Sequence, residues 1–186
     1  MVRKSSRRAA FGLMFALATT GAFAAEQDPA DGCTRFTWDV SHELAVMKQT
    51  PQSITAGTKS NGADSPLIAL GTLYELKLAP QSTVQFAVKP GKPTLDDSAQ
   101  AGMVRFLAPA PGRYRVSITS GHWLDVVADR ALVKSQDFQG ARGCERPHKI
   151  VEYDLPEARE LTLQLSGATA ASVIVAITPV KASPTN

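Results

Sequence analysis

From Ser65 onward apolar and polar residues alternate along most of the chain, the pattern of strands with one dry face and one wet face. In 112–119, Tyr114, Val116 and Ile118 share one face, while Arg113, Arg115, Ser117 and Thr119 share the other. The same rule turns Tyr74, Leu76 and Leu78 inward against Glu75 and Lys77, and places Val84, Phe86, Val88, Val104 and Phe106 in the interior. Val151, Tyr153 and Leu155 alternate with Glu152 and Asp154; Leu161, Leu163 and Leu165 alternate with Thr162 and Gln164. The run 172–178 is apolar on both faces, as in a central strand or one covered on both sides.

Turn residues separate these runs at Ala79-Pro80-Gln81, Pro109-Ala110-Pro111-Gly112, Ser120-Gly121 and Pro156-Glu157, the spacing of antiparallel hairpins. Eight or nine short strands with no helical crossovers between them predict an all-β fold, an antiparallel β-sandwich or jelly roll. The stretches 74–86 and 151–165 share the order strand, Pro-containing turn, strand, which predicts equivalent hairpins within one sandwich. Upstream, Phe36, Trp38 and Val40 alternate with Thr37, Asp39 and Ser41, so Trp38 is expected in the core, packing near Cys33. Ser41 to Gln49 fits either a short helix capped by Ser41 or a continuing strand. Segments 51–66 and 89–101 read as irregular.

The N-terminus changes how the charge is read. Arg3, Lys4, Arg7 and Arg8 precede an apolar segment from Ala9 to Ala18 and then Ala22-Phe23-Ala24, the order of a secretory signal peptide cleaved after Ala24. The apolar segment is shorter than the roughly 20 residues of a bilayer span, so no membrane span is expected after cleavage. With Phe11 displaced from the arginine pair, general secretion fits better than the twin-arginine route. Four of the 20 basic residues and none of the 17 acids fall in 1–24, so the rest carries a net charge of −1. A basic surface for nucleic acid is therefore not expected. Within the mature chain, 25–178 is expected to form one domain, with 179–186 a disordered tail.

Two cysteines, Cys33 and Cys144, in an oxidising periplasmic or extracellular compartment predict one structural disulfide. Their spacing suits neither a metal site nor a C-x-x-C redox centre.

The segment 106–118, from Phe106-Leu107-Ala108-Pro109 through Tyr114-Arg115-Val116, preceded by Tyr74-Glu75-Leu76-Lys77-Leu78, resembles the strand pairs of bacterial pre-peptidase C-terminal domains. The resemblance covers 67–128 and implies a secreted β-sandwich of the kind attached to exported enzymes. It implies no functional residue, and the long-range cysteine pair departs from the family pattern.

Catalytic chemistry has little local support. His42, His122 and His148 form no H-x-H, H-x₃-H or H-E-x-x-H, so no metal or cofactor is expected. There is no G-x-S-x-G, and Ser120-Gly121-His122 reads as a turn. Asp96 with Asp97, or Asp125 with Asp129, could pair for glycosidase work, but read more simply as solvated acids. In 122–128, Leu124, Val126 and Ala128 share one face, which sets Trp123, Asp125 and Val127, followed by Asp129, on the other. A Trp beside carboxylates suits sugar binding, because the indole stacks on a pyranose while acids accept from hydroxyls. The alternative is a Trp123 covered by a loop or flipped into the core. The expected function is an exported, non-catalytic module that binds an envelope protein or a carbohydrate through Trp123, Asp125 and Asp129. The alternative is a small extracytoplasmic hydrolase whose site assembles only in three dimensions.

Overall fold

A computed structural model describes residues 32–59, 64–93 and 96–180. The signal segment 1–24 and its cleavage point lie outside the described residues, as do 181–186 of the expected tail. The alternating runs form strands. A helix, α1 (Ser41–Met47), is followed by β1 (Gln52–Thr55), β2 (Leu67–Ile68), β3 (Tyr74–Lys77) and β4 (Ala79–Pro80). Then come β5 (Gln100–Ala108), β6 (Gly112–Ile118), β7 (Trp123–Ala128) and β8 (Ala131–Val133). The last are β9 (Ser135–Gln139), β10 (Lys149–Leu155), β11 (Arg159–Ala168) and β12 (Ser172–Pro179). They make two sheets: the first in the order β1-β3-β12-β6-β10-β9, the second in the order β2-β5-β11-β7-β8, with β4 on β5. Both are mixed, because β1 runs parallel to β3 and β2 parallel to β5.

The inner faces enclose one hydrophobic core. Leu76, Val116, Ile118, Tyr153, Val175 and Ile177 come from the first sheet, and Val104, Phe106, Leu124, Val126, Leu163 and Leu165 from the second. Apart from Val175 and Ile177, whose run reads as apolar on both faces, these are the residues that the period-two pattern turns inward.

The partners differ from expectation. Residues 109–111 carry the chain from β5 in the second sheet to β6 in the first, 119–122 return it to β7, and 156–158 link β10 to β11 across the core. The expected hairpin at 151–165 is therefore an arch between sheets. Alternation specifies which face is dry, not which strand lies alongside. A local hairpin does join β7 to β8, through Asp129 and Arg130 at φ 47° and 60°, the left-handed pair of a two-residue turn. Segment 84–88 is not a ladder strand; it begins a strap over the outer face of the second sheet, where Gln164 Oε1 accepts from Val88 N and Gln164 Nε2 donates to Val88 O, each at 3.1 Å.

Helix α1 covers the outer face of the first sheet, with Val46 and Met47 packed on Leu73 and Ala176. Ser41 opens the helix without capping it: no side chain caps the helix, and the Ser41 N–H donates instead to Asp39 Oδ1 at 3.0 Å. Beneath the helix lies a buried ion network built on residues that alternation assigns to water. Arg115 and Glu152 are cross-strand partners on β6 and β10, joined Nε to Oε2 at 3.0 Å. Arg115 Nη1 also donates to the Asp39 carbonyl at 2.8 Å and approaches Glu43 Oε2 of α1 at 3.5 Å. Thr178 donates to Glu43 Oε1 at 2.9 Å. Trp38, expected in the core, lies over the Arg115 guanidinium at 4.6 Å, half-buried on the outer side.

The cysteines pair. Cys33 and Cys144 are bonded across a separation of 111 residues, tying the segment before α1 to the loop between β9 and β10. Gly32 packs so closely there that a Cβ on it would lie 2.2 Å from the Gly143 carbonyl carbon.

Candidate functional site

Strand β7 sets Leu124 and Val126 in the core, and so turns Trp123 and Asp125 to the outer face, opposite Ser166 and Gln164 of β11. There the strap reaches them. Asp125 Oδ2 accepts from the Gly91 N–H at 3.0 Å, and Oδ1 accepts from Trp123 Nε1 at 2.9 Å. A Cβ on Gly91 would stand 3.0 Å from Asp125 Oδ1 and 3.3 Å from Trp123 Nε1, so the close approach of the strap needs a small residue. Asp125 is thus a buried latch holding the strap and orienting the indole.

Held by this edge, the Trp123 ring stays 39% exposed, with Lys92 Nζ 5.7 Å from its centroid. It borders an open cleft of about 890 Å³ with Lys92, Asp97, Gly121, Phe138 and Lys149. Phe138 of β9 is 69% exposed and stands between this cleft and a neighbouring one of about 850 Å³ that contains Arg142, Arg146 and His148. Lys149 borders both clefts and donates to the His122 carbonyl. Burial, and then the charge of Lys92, push its ammonium below the usual lysine range. Asp96 also borders the first cleft, and hydrogen bonds from the Ser98 side chain and backbone hold its carboxyl below the usual range.

The structure brings Trp123 and Asp125 into contact and sets Asp129 apart. Asp129 occupies the β7–β8 turn, where its Oδ2 meets Arg159 Nη2 at 2.6 Å. No family model matches this chain. No curated protein matches it either.

His122 is fully buried, with Ser120 Oγ 2.7 Å from its Nδ1. Burial, helped by the nearby Lys149 charge, lowers its pKa to about 4, so the imidazole is neutral near pH 7 and a poor proton acceptor. A hydrogen bond between the ring and the Gln100 backbone opposes part of that shift. No group of three His, Cys, Asp or Glu among the described residues could hold a metal ion. No described helix is long and apolar enough to cross a membrane.

Sequence reasoning missed Phe138, Lys92 and Lys149. The signal for Phe138 was a lone aromatic in the otherwise polar run Ser135-Gln136-Asp137-Phe138-Gln139. Nothing local marks two lysines, 57 positions apart, as neighbours.

Proposed function

We propose that this protein is an exported, non-catalytic β-sandwich module that binds a carbohydrate through the Trp123–Phe138 cleft. Two exposed rings bordering one open cleft carry this reading. Indole and phenyl faces stack on the apolar faces of sugar rings, and Asp97, Lys92 and Lys149 offer acceptors and donors for hydroxyls. The rings stand in concave clefts, which suits a narrow chain ligand better than the broad contiguous patch of an envelope-protein interface. Export is supported by the order of charge, apolar run and Ala-x-Ala in 1–24, and by a disulfide, which persists in oxidising compartments. The resemblance of 67–128 to pre-peptidase C-terminal domains supports the sandwich fold and the exported location. The hydrolase alternative has only the Ser120–His122 contact behind it, and the weak basicity of that imidazole counts against it.

The test is a glycan array probed with the native protein and with Trp123→Ala and Phe138→Ala. Both variants should lose the glycans bound by the parent. Trp123→Ala gives up the indole bond to Asp125 and should cost no more than about 2 kcal/mol of stability. A parent that binds no glycan overturns the proposal, and so do ring variants that keep full binding. A Trp123→Ala loss of about 3–5 kcal/mol, the range of a core aromatic, would make the ring structural.

A further inference from the structure

The cationic groups around Phe138 bear on which carbohydrate the cleft takes. Lys92 and Lys149 border the same cleft from separate elements, one on the strap and one on β10. They stand near enough for the Lys92 charge to disfavour the charged form of Lys149, and no carboxylate among the described residues lies within ion-pair distance of either. Beyond Phe138 the second cleft adds Arg142 and Arg146, which likewise form no ion pair among the described residues. Three acids border the two clefts: Asp96, Asp97 and Glu145. Asp96 is already engaged, its Oδ1 accepting from Ser98 N at 2.9 Å and from Ser98 Oγ at 2.5 Å.

Two like charges brought together without a counter-ion lower each other's stability, and a ligand anion placed between them relieves the repulsion while gaining two charge-assisted hydrogen bonds. Flanking rings add a second requirement, an apolar face next to the anion. A uronic acid meets both, since its pyranose stacks on an aromatic ring while its carboxylate extends from the ring edge. We infer that the cleft recognises a carboxylated polysaccharide, the uronate carboxylate lying between Lys92 and Lys149 and its sugar rings against Trp123 and Phe138. This rests on the carbohydrate reading above and adds the sign of the ligand's charge.

The experiment is affinity electrophoresis of the native protein through polygalacturonate and, in parallel, through the neutral polymer galactan, at low and high salt. The native protein should be retarded by polygalacturonate and not by galactan, and less so as salt screens the pair. Lys92→Gln, at an exposed position, should weaken retardation about twofold to fivefold, the range of one partly exposed ion pair. Lys92→Glu should weaken it further, and Trp123→Ala should abolish it. Lys149→Gln is the second variant, its folding checked by circular dichroism because Lys149 also holds the His122 carbonyl. Equal or stronger retardation by galactan, lost in Trp123→Ala, overturns the anionic inference and leaves the carbohydrate reading standing. Polygalacturonate retardation unchanged by Lys92→Glu also overturns the inference. If neither polymer retards the native protein and the array is blank, both readings fall.

Discussion

Replacing Arg115 with Met should be among the most destabilising single changes outside the apolar core. The side chain is mostly buried between Glu152, 3.0 Å from Nε, and Glu43, 3.5 Å from Nη1, and both carboxylates are themselves almost completely covered. Met fills much of the volume and leaves two buried acids without their shared cation. Removing one partner of a buried pair costs about 3–5 kcal/mol, because the remaining charge keeps its desolvation penalty. Two residual contacts favour the lower end: Arg113 Nη1 still reaches Glu152 Oε1 at 3.2 Å, and Thr178 still donates to Glu43. About 3 kcal/mol in a domain of this size lowers Tm by roughly 6–12 °C. The triple variant Glu43→Gln, Arg115→Met, Glu152→Gln removes the charges together and should recover most of the loss. Thermal and urea unfolding followed by circular dichroism measure both. An Arg115→Met variant within about 0.5 kcal/mol of the parent, or a triple variant no better than the single, would refute the assigned role.

Replacing Cys33 and Cys144 together with Ser opens a loop closed over 111 residues and should cost about 4–5 kcal/mol by chain entropy, read as a lower urea midpoint that reductant no longer changes. Two thiols titrating in the native, unreduced parent would contradict the bond. His122 should make the protein acid-labile: its folded pKa, about 4, lies below the ordinary value of 6.5, so the unfolded chain binds the proton first as pH falls. Stability should decline by about 3 kcal/mol between pH 6.5 and pH 4 on this account. His122→Gln should flatten the slope over that window, and a variant with the parent's slope would locate the acid sensitivity elsewhere.

The dry faces of the long strands were legible in the sequence because water sorts side chains locally. Tyr114, Val116 and Ile118 could be placed from their immediate neighbours, and they sit in the core as read. Strand partners depend on where arches send the chain, and the Pro-containing turn at 156–158 reads the same whether the next strand lies alongside or across the core. Segment 84–88 shows another limit: Val84, Phe86 and Val88 alternate like a strand, yet the backbone finds its partners in the Gln164 side chain and the Thr58 carbonyl. Arg115 and Glu152 read as wet because their cover, α1, comes from more than 60 positions upstream. At the candidate site, the outward face of Trp123 and Asp125 followed from alternation alone. That Asp125 would spend both oxygens inside the protein did not, since the donors belong to a strap 34 residues away and to the indole itself.

The position of β12 has a consequence for how the chain reaches this state. The last strand lies between β3 and β6, so the first sheet lacks its central joint until residues 172–179 arrive. Folding must close long loops before most of the core can form, a slow process in which early segments find no lasting partners. In a chain emerging N-terminus first, the two parts β1-β3 and β6-β10-β9 stay unjoined until β12 emerges. For an exported protein, as proposed, that delay is useful wherever the chain crosses unfolded: an unfinished sheet can be threaded through a narrow channel, whereas a completed one cannot.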